Sequence, residues 1–469
     1  MKILLVQPPP RHRAYETIVV PPLGLAYLAA VLRRSGNDVK ILDGFALQLD
    51  WDEYASMVAG EKPDLVGVTS MTPVADNACR ALRLARPHCK YLVLGGPHVT
   101  AVGRRVFEDV PEIDFAMRGE CEVSFPAAVS ALEGGRDAGE LDGVITKERE
   151  NPPAKLIDDI DTLPFPARDL LAQNRYRYLL SRSRRVATMI TSRGCPYNCV
   201  FCDKSTFTSR WRARSAENII EEMKEIVYRY GIRSIILYDD LFTTDVKRVK
   251  AVCEAILREG LKIDWKCEGR VNIVDEEMLR MMKRAGCSMI AYGVESGGQK
   301  ALDFLNKKTT PEMGRAAFAA TKKAGIRTMG YFILGIPVET FEESLHTVEF
   351  AREIGADYAQ FSILSPFPNT PMYNDAIAKG WYREVDAHNP MDKDLKRPVI
   401  LSENWDEEKL REILRVAHRR FYFRPKIIFR EILSIRNFSV LRSKISAALR
   451  LLRWSLWPTA AAPATPERK

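Results

Sequence analysis

Short apolar segments alternate with amphipathic helical segments along most of the 469-residue chain. The apolar segments, such as residues 2–7 and 65–69, are continuous runs rich in Val, Leu and Ile. Continuous runs of this length are typical of parallel strands that are buried on both faces of a sheet. Because parallel neighbours need long crossover connections, the repeated order of strand and helix predicts an α/β fold whose sheets are covered by helices.

The alternation falls into two series, and the chain is long enough for two or three domains. Residues 1–146 predict a doubly wound, Rossmann-like domain, and such sheets bind ligands at the carboxyl ends of their strands. Residues 147–183 are expected to be a linker, since they contain turn formers and prolines but no sustained periodicity. Residues 184–385 predict a second α/β domain whose six strands are too few for a closed barrel, so we expect a partial (β/α)6 barrel. Individual helices are predicted at residues 102–109, 216–230, 246–258 and 276–284, among others, and several of them begin after a residue that caps helix N-termini, such as Asp275.

Residues 386–469 are predicted to be a basic helical extension. The stretch 406–469 holds 15 Lys and Arg but 6 Asp and Glu, an excess equal to the net charge of +9 of the whole chain. Such helices either pack on the barrel with a solvated outer face or lie on an anionic membrane surface. Residues 443–457, which contain two tryptophans, fit the membrane alternative. Nucleic-acid binding is not expected, because no recognised module accompanies the charge.

The N-terminus predicts a buried strand rather than a signal peptide, because its apolar run ends at Gln7 and three prolines follow. No apolar run approaches the roughly 20 residues that span a bilayer. We therefore expect a cytoplasmic protein, with membrane association through the tail as an alternative. Nine cysteines in such a chain indicate thiols or metal ligands rather than a disulfide framework.

Three of the cysteines, Cys195, Cys199 and Cys202, lie within eight residues of one another. They follow the first strand of the second series, in a loop that also contains Gly, Pro and Asn. Thiolates are soft ligands that suit iron–sulfur clusters or zinc. Three of them on one loop can hold three irons of a cubane cluster and leave the fourth iron open for catalysis. The zinc alternative needs a remote fourth ligand and is usually accompanied by a second Cys or His cluster, which the sequence lacks.

The spacing of these cysteines, with an aromatic residue before the last one, resembles the radical S-adenosylmethionine superfamily. The resemblance covers about residues 184–375 and implies that the three cysteines are the catalytic cluster ligands. It also implies contacts to S-adenosylmethionine at the ends of later strands. The implied residues are Phe201 beside the cysteines, Asp239 and Asp240 near the amino group, Arg270 at the carboxylate, Glu295 and Ser296 near the ribose or methionine, and Gly335 and Pro337 near the adenine.

The resemblance implies a reaction in which a reduced four-iron four-sulfur cluster donates an electron to S-adenosylmethionine. The products are methionine and a 5′-deoxyadenosyl radical that abstracts hydrogen from an unreactive carbon. Such an enzyme needs a low-potential electron donor of the flavodoxin or ferredoxin type. It also needs a lumen that shields the radical from solvent.

The first domain resembles the cobalamin-binding domain that precedes the barrel in one class of this superfamily. The matching stretches are Gln7–Pro10, Pro21–Leu25, Val68–Pro73, Gly95–His98 and Arg118–Glu122. The residues implied to contact cobalamin are Pro9, Gly24, Ser70, Thr72, Gly95, Gly96, His98 and Glu120.

Two features depart from the usual patterns of cobalamin proteins. The Asp-x-His-x-x-Gly loop of His-ligated cobalamin proteins is absent. His98 is therefore expected near the nucleotide tail or as a structural residue. Cys121 also stands where the family usually has a small residue.

The combined resemblance predicts an enzyme that methylates an unactivated carbon of a small molecule, a lipid or a cofactor precursor. Oxidative cyclisation or rearrangement without methyl transfer is a second interpretation, since a bacteriochlorophyll ring cyclase belongs to a similar family. A non-catalytic cobalamin or metal sensor is a third. A sensor needs neither an open cluster position nor the motifs at the later strand ends, so the sequence favours an enzyme.

Overall fold

The first domain is a doubly wound sheet, as the sequence predicts. The computed structural model of the protein describes residues 1–10, 18–178, 180–181, 183, 185–386, 396–433, 445 and 449. The strands are β1 (Lys2–Gln7), β2 (Ile18–Val19), β3 (Asp38–Asp43), β4 (Leu65–Thr69), β5 (Tyr91–Gly95), β6 (Phe115–Met117) and β7 (Val144–Ile145). The helices are α1 (Leu23–Arg34), α2 (Gly44–Leu47), α3 (Trp51–Glu61), α4 (Ala75–Ala85), α5 (Pro97–Val102), α6 (Val106–Asp109) and α7 (Ser124–Glu133).

Six of these strands form one sheet in the order β3-β1-β4-β5-β6-β7. All neighbours are parallel except β7, which runs antiparallel to β6. Separate apolar cores lie on the two faces of the sheet, one against α3 and α4 and the other against α1 and α7. The buried strands read as continuous apolar runs because both faces are covered.

The helix predicted over residues 102–109 is broken in the structure. Helix α5 ends at Val102, a single 3-10 turn follows at Gly103–Arg105, and α6 continues from Val106. Gly103 has a φ of 62°, and a Cβ at this position would lie 2.7 Å from a carboxylate oxygen of Glu150. The left-handed backbone and the close approach of Glu150 end the first helix there.

The linker is packed against both domains. Its strand β8 (Arg177–Tyr178) pairs antiparallel with β2. Arg168 is fully buried and donates hydrogen bonds of 2.6 Å to the carbonyl of Thr188 and to the carboxylate of Glu222. These contacts fix the path of the chain from the first domain into the second.

The second domain is an open, six-stranded parallel barrel, as predicted. The barrel strands are β9 (Ala187–Met189), β12 (Ser234–Leu237), β13 (Asp264–Gly269), β14 (Cys287–Glu295), β15 (Arg327–Leu334) and β16 (Tyr358–Ile363), and a short pair, β10 (Ser192–Arg193) and β11 (Arg212–Ala213), follows β9. The strand order in the barrel sheet is β16-β15-β14-β13-β12-β9. The helices are α8 (Ala216–Lys224), α9 (Val246–Arg258), α10 (Glu276–Arg284), α11 (Gln299–Phe304), α12 (Pro311–Lys323) and α13 (Phe341–Glu353). The helix predicted over 216–230 leaves α geometry at Glu225 and ends as one π turn.

The C-terminal segment begins with α14 (Pro371–Ala378) and the antiparallel pair β17 (Tyr382–Asp386) and β18 (Lys396–Ile400), followed by α15 (Glu407–Tyr422) and α16 (Pro425–Leu433). Helix α15 buries Leu410, Ile413 and Phe421 in the same apolar core as the barrel helices. The Tyr422 hydroxyl bonds the backbone of Ala359 in β16. This basic helix therefore packs on the barrel.

The segment 443–457, for which the sequence leaves a membrane-surface helix open, lies outside the described residues apart from Ile445 and Leu449. Both of these side chains are exposed. Within the described part of the chain, every helix is too short or too polar to cross a bilayer.

Candidate functional site

The clustered cysteines occupy one loop between strands β10 and β11. Cys195 and Cys199 are partly exposed and Cys202 is exposed. Burial raises the pKa of the Cys195 thiol, and the nearby Asp240 and Cys199 raise it further. A bound cation would hold these sulfurs as thiolates. Among the described residues, no three Cys, His, Asp or Glu side chains are grouped around the position of a single metal ion.

The cysteine loop is held by its own polar contacts. Gly194 has a φ of 84°, and a Cβ there would lie 2.4 Å from the carbonyl oxygen of Arg210. The Lys204 ammonium donates to Asn198 Oδ1 at 2.8 Å and to Ser209 Oγ at 3.0 Å. The loop is thus fixed by glycine geometry and hydrogen bonds that do not involve the cysteine sulfurs.

Arg270 lies directly beside the cysteine loop, just past the end of β13. Its Nη1 is 3.8 Å from Cys199 Sγ, and its guanidinium carbon stacks 3.7 Å from the centre of the Tyr197 ring. The side chain is buried, yet Nε and Nη2 have no hydrogen-bond partner among the described residues. A buried guanidinium with two unused donors is a site for a planar anion such as a carboxylate.

The two aspartates after β12 have different surroundings. Asp239 is buried and accepts hydrogen bonds of 2.6 Å from Thr191 N, Thr191 Oγ1 and Ser192 Oγ. It therefore ties the end of β12 to the strand that leads into the cysteine loop. Asp240 is exposed and accepts one bond, 3.0 Å long, from Gly194 N. Asp240 is the aspartate with room for a ligand.

The end of β14 is shaped by an internal ion pair. Glu295 has a φ of 69°, which is unusual for a residue with a side chain, and the pairing of β14 with β15 is irregular at this point. Its carboxylate lies 2.6 Å from Lys307 Nζ, and both side chains are buried. Lys307 lies at this strand end although no sequence motif indicates it.

Ser296 donates a hydrogen bond of 2.9 Å to Glu339, a buried carboxylate that the sequence analysis did not single out. Burial raises the pKa of Glu339 to about 7, and its Oε2 has no hydrogen-bond partner among the residues that the structure describes. Its position two residues after Pro337, just past the expected adenine segment, was the available signal. Gly335 has a φ of 75°, and a Cβ there would lie 2.4 Å from Leu410 of α15. Phe201 packs on an apolar cluster that includes Ile336 and Leu364.

Several of the residues expected to bind cobalamin meet at the carboxyl ends of β4 and β5. Gly96 has a φ of 101°, and a Cβ there would lie 2.5 Å from the carbonyl oxygen of Ser70. His98 N donates to that same carbonyl at 3.1 Å, and its Nδ1 lies 3.2 Å from Thr72 Oγ1. Burial lowers the pKa of His98. The Ser70 hydroxyl is buried without a partner.

Two further residues of the cobalamin set lie near the ends of β1 and α1. Pro9 is buried, and a Cβ on Gly44 would lie 2.9 Å from its nitrogen. Gly24, in the first turn of α1, has open space around its Cα on the side where a Cβ would project.

Glu120 lies between the two domains rather than open to a ligand. Its oxygens accept bonds of 2.5 and 2.8 Å from Arg212, and the backbone N of residue 157 donates to it at 3.0 Å. Glu122 pairs at 2.5 Å with Arg193, two residues before Cys195. Arg193 in turn lies 3.6 Å from Glu120. We call Glu120, Glu122, Arg193 and Arg212 the interdomain ion cluster, which joins the end of the first sheet to the cysteine loop.

Comparison with known proteins places this geometry in a family. A radical SAM superfamily model matches residues 189–351, and a B12-binding domain model matches residues 17–129. An uncharacterized methyltransferase of Pyrococcus horikoshii is 37% identical over 452 residues, covering 94% of this chain and 97% of that one. The chain belongs to the cobalamin-binding radical S-adenosylmethionine family.

Other members and a structural neighbour fit this assignment. The anaerobic magnesium-protoporphyrin IX monomethyl ester cyclase of Rubrivivax gelatinosus is 29% identical and covers 86% of this chain and 74% of its own. The structure of the radical S-adenosylmethionine methyltransferase TsrM from Kitasatospora setae, with cobalamin and an iron–sulfur cluster bound, superposes with a TM-score of 0.72 at 19% identity. It covers 90% of this chain and 89% of that one, and it shows the same fold.

As a member of this cobalamin-dependent radical S-adenosylmethionine methyltransferase family, the protein is an enzyme. Its cofactors are a four-iron four-sulfur cluster, S-adenosylmethionine and cobalamin. The residues present fit these groups. Arg270 keeps two buried donors beside Cys199, and the buried Ser70 hydroxyl adjoins a glycine where a side chain would clash. The predictions of family and cofactors from the sequence are confirmed.

Proposed function

We propose that the protein methylates an unactivated carbon of a small molecule, a lipid or a cofactor precursor. The observation that carries this proposal is the interdomain ion cluster, which fixes the strand ends of the cobalamin-binding domain against the cysteine loop. The chain-long similarity to a methyltransferase supports it. When bound, the cluster with S-adenosylmethionine supplies hydrogen abstraction, and cobalamin supplies the methyl group.

Three cysteines and two charged residues would hold the radical-forming groups. Cys195, Cys199 and Cys202 are the proposed cluster ligands. Arg270 would bind the methionine carboxylate through its unused Nε and Nη2. Asp240 would accept from the amino group, because Asp239 already accepts three hydrogen bonds within the protein.

The remaining residues of the proposed S-adenosylmethionine site surround the ends of β14 and β15. Glu295 and Ser296 would lie near the ribose or the methionine, each oriented by a buried partner. Gly335 and Pro337 would border the adenine. Phe201 would act by packing the cysteine loop on the barrel, as its place in the apolar cluster suggests.

Cobalamin would be held at the carboxyl edge of the first sheet. The proposed contacts are Pro9, Gly24, Ser70, Thr72, Gly95, Gly96 and His98. The Ser70 hydroxyl is the clearest of them, since it is buried without a partner. Because both carboxylate oxygens of Glu120 accept bonds from other protein groups, we propose that Glu120 positions the domain rather than touching the corrin.

The domain limits and partners expected from the sequence complete the proposal. We propose a cobalamin-binding domain at 1–146, a linker at 147–183, a radical domain at 184–385 and a C-terminal extension at 386–469. Reduction would come from a protein of the flavodoxin or ferredoxin type. The basic tail beyond residue 433 would supply any contact with an anionic membrane.

The test is an anaerobic assay after reconstitution with iron, sulfide and hydroxocobalamin. Wild type and Cys199→Ala are incubated with S-adenosylmethionine, a strong reductant and a small-molecule extract, and products are identified by mass spectrometry. We expect 5′-deoxyadenosine and S-adenosylhomocysteine from wild type only. Deoxyadenosine without S-adenosylhomocysteine would favour oxidative cyclisation, to which the similarity with the Rubrivivax cyclase points. Absence of both products would contradict the proposal.

A further inference from the structure

Strand β13 presents a line of charged side chains on the face opposite the barrel helices. Trp265 and Cys267 lie in the apolar core between the strands and those helices. Since side chains alternate along a strand, Lys266, Glu268 and Arg270 point to the other face, into the lumen. Arg270 reaches the cysteine loop at one end. Glu268 stands two residues earlier, about 7 Å deeper in the lumen at the usual rise of a strand.

Glu268 has one protein hydrogen bond and no ion pair among the described residues. Its Oε1 accepts from the hydroxyl of Tyr331, on β15, at 3.1 Å. Glu268 keeps partial exposure, and no described residue donates a hydrogen bond to its Oε2. Burial raises the pKa of Glu268 to about 7. The carboxyl group is thus enclosed, oriented by one donor and open at its second oxygen.

Tyrosines also contribute to the surroundings of this carboxyl group. Burial, together with the negative charge of Glu268, raises the pKa values of Tyr331, Tyr238 and Tyr178. Tyr178 belongs to the linker strand β8. Its ring already makes a cation–π contact, since Lys266 Nζ lies 4.3 Å from the ring centre. A half-buried carboxylate that has no ion pair among the described residues favours a positively charged ligand.

We propose that Glu268, held by Tyr331, binds a protonated nitrogen of the substrate at the floor of the reaction chamber. This site is separate from the groups that hold the cluster, S-adenosylmethionine and cobalamin. The proposed substrate is therefore a molecule with an amine or another basic nitrogen. Binding of that nitrogen to Glu268 would hold the reacting carbon below the cysteine loop. The inference rests on the proposed function, since the lumen is the chamber of that reaction.

The experiment uses simple probes, because they report on the anchor without the natural substrate. Binding of n-butylammonium and of 1-butanol to the reconstituted protein is followed by saturation-transfer NMR. The variants are Glu268→Gln, which keeps the shape but removes the charge, and Tyr331→Phe. The control is Tyr292→Phe, which also removes one buried hydroxyl bond, of 2.8 Å to Thr321, but in the outer core.

We expect wild type and Tyr292→Phe to bind n-butylammonium alike. Glu268→Gln should bind it at least about tenfold more weakly, and Tyr331→Phe should show a smaller loss. Binding of 1-butanol should not differ between wild type and Glu268→Gln. Circular dichroism of each variant checks the fold.

Two results would overturn the anchor. One is n-butylammonium binding that survives in Glu268→Gln, and the other is an equal loss of ammonium and alcohol in that variant. Neither of these two binding results depends on catalysis. A protein that fails to cleave S-adenosylmethionine but binds the ammonium probe through Glu268 would contradict the proposed function alone. A protein that methylates but shows no such binding would contradict the anchor alone.

Discussion

Replacing Glu120 by alanine removes the central carboxylate of the interdomain ion cluster. The Glu120 side chain has no exposed surface, and those of Arg212 and Arg193 are 4% and 3% exposed. Arg212 would lose both of its bonds to this carboxylate, and Arg193 would keep Glu122 as its counterion. Leaving a buried charge without its partner costs about 3–5 kcal/mol of the free energy of unfolding.

A matched control lies in the same region of the chain. Arg210 and Asp158 form an ion pair of 2.7 Å whose side chains are 60% and 70% exposed. Exposed pairs contribute about 0–1 kcal/mol, because water solvates the charges when the pair is broken. Asp158→Ala should therefore lower the free energy of unfolding much less than Glu120→Ala does.

The assay is urea unfolding of the reconstituted proteins, followed by circular dichroism, with Glu120→Gln as a third variant. Glutamine keeps the size of the side chain, so its loss of stability should approach that of alanine if charge dominates. The iron content of each variant shows whether breaking the interdomain ion cluster also disturbs the cysteine loop. The affinity for hydroxocobalamin shows whether it disturbs the first sheet. A loss in Glu120→Ala no larger than in Asp158→Ala would refute the electrostatic argument.

Three further predictions follow from single side chains. Arg270→Lys keeps the positive charge but not the planar donors, so the variant should bind S-adenosylmethionine at least about tenfold more weakly at unchanged iron content. Equal affinities of the variant and wild type in equilibrium dialysis would contradict the proposed carboxylate contact. Gly96→Ala forces a Cβ to 2.5 Å from the Ser70 carbonyl in a glycine-only backbone region, so it should lower the free energy of unfolding by about 1–3 kcal/mol. The control Gly60→Ala, in helix α3 with open space around it, should instead stabilise by about 0.5–1 kcal/mol. In the folded protein the pKa of Glu268 is raised to about 7, so its neutral form favours the fold at low pH and this contribution is lost as pH rises through 7. The free energy of unfolding of Glu268→Gln should therefore rise by about 3 kcal/mol relative to wild type between pH 4.5 and 8. A difference in urea unfolding that does not change with pH would show that the carboxyl is not buried as described.

Local sequence patterns determined the elements of this protein closely. Strand β4 and helices α9 and α10 begin and end at the residues that apolar periodicity and N-cap residues predict. Both signals depend on residues that are close together in the chain, so they can be recognised without knowing the fold. The order of the elements also predicted the doubly wound sheet and the partial barrel, since crossover length and handedness leave few alternatives.

The cysteine loop was also readable from the sequence, because its ligands lie within one turn-rich segment. The partners of single charged residues were not. Asp239 and Glu120 both fit ligand-binding motifs, yet Asp239 accepts its bonds from Thr191 and Ser192, and Glu120 pairs with Arg212. Which of two neighbouring carboxylates meets a ligand depends on strands brought together from distant parts of the chain.

Tertiary structure alone also decided which elements form outside the regular alternation. Strands β17 and β18 form a separate two-stranded sheet, and Gly103 ends helix α5 where Glu150, 47 positions later, approaches it. The same holds for Glu268 and Tyr331, whose contact joins β13 to β15 over the intervening strand β14. Periodicity shows that a side chain faces inward, whereas its neighbours there depend on strand order, register and barrel closure, which are set by contacts far apart in sequence.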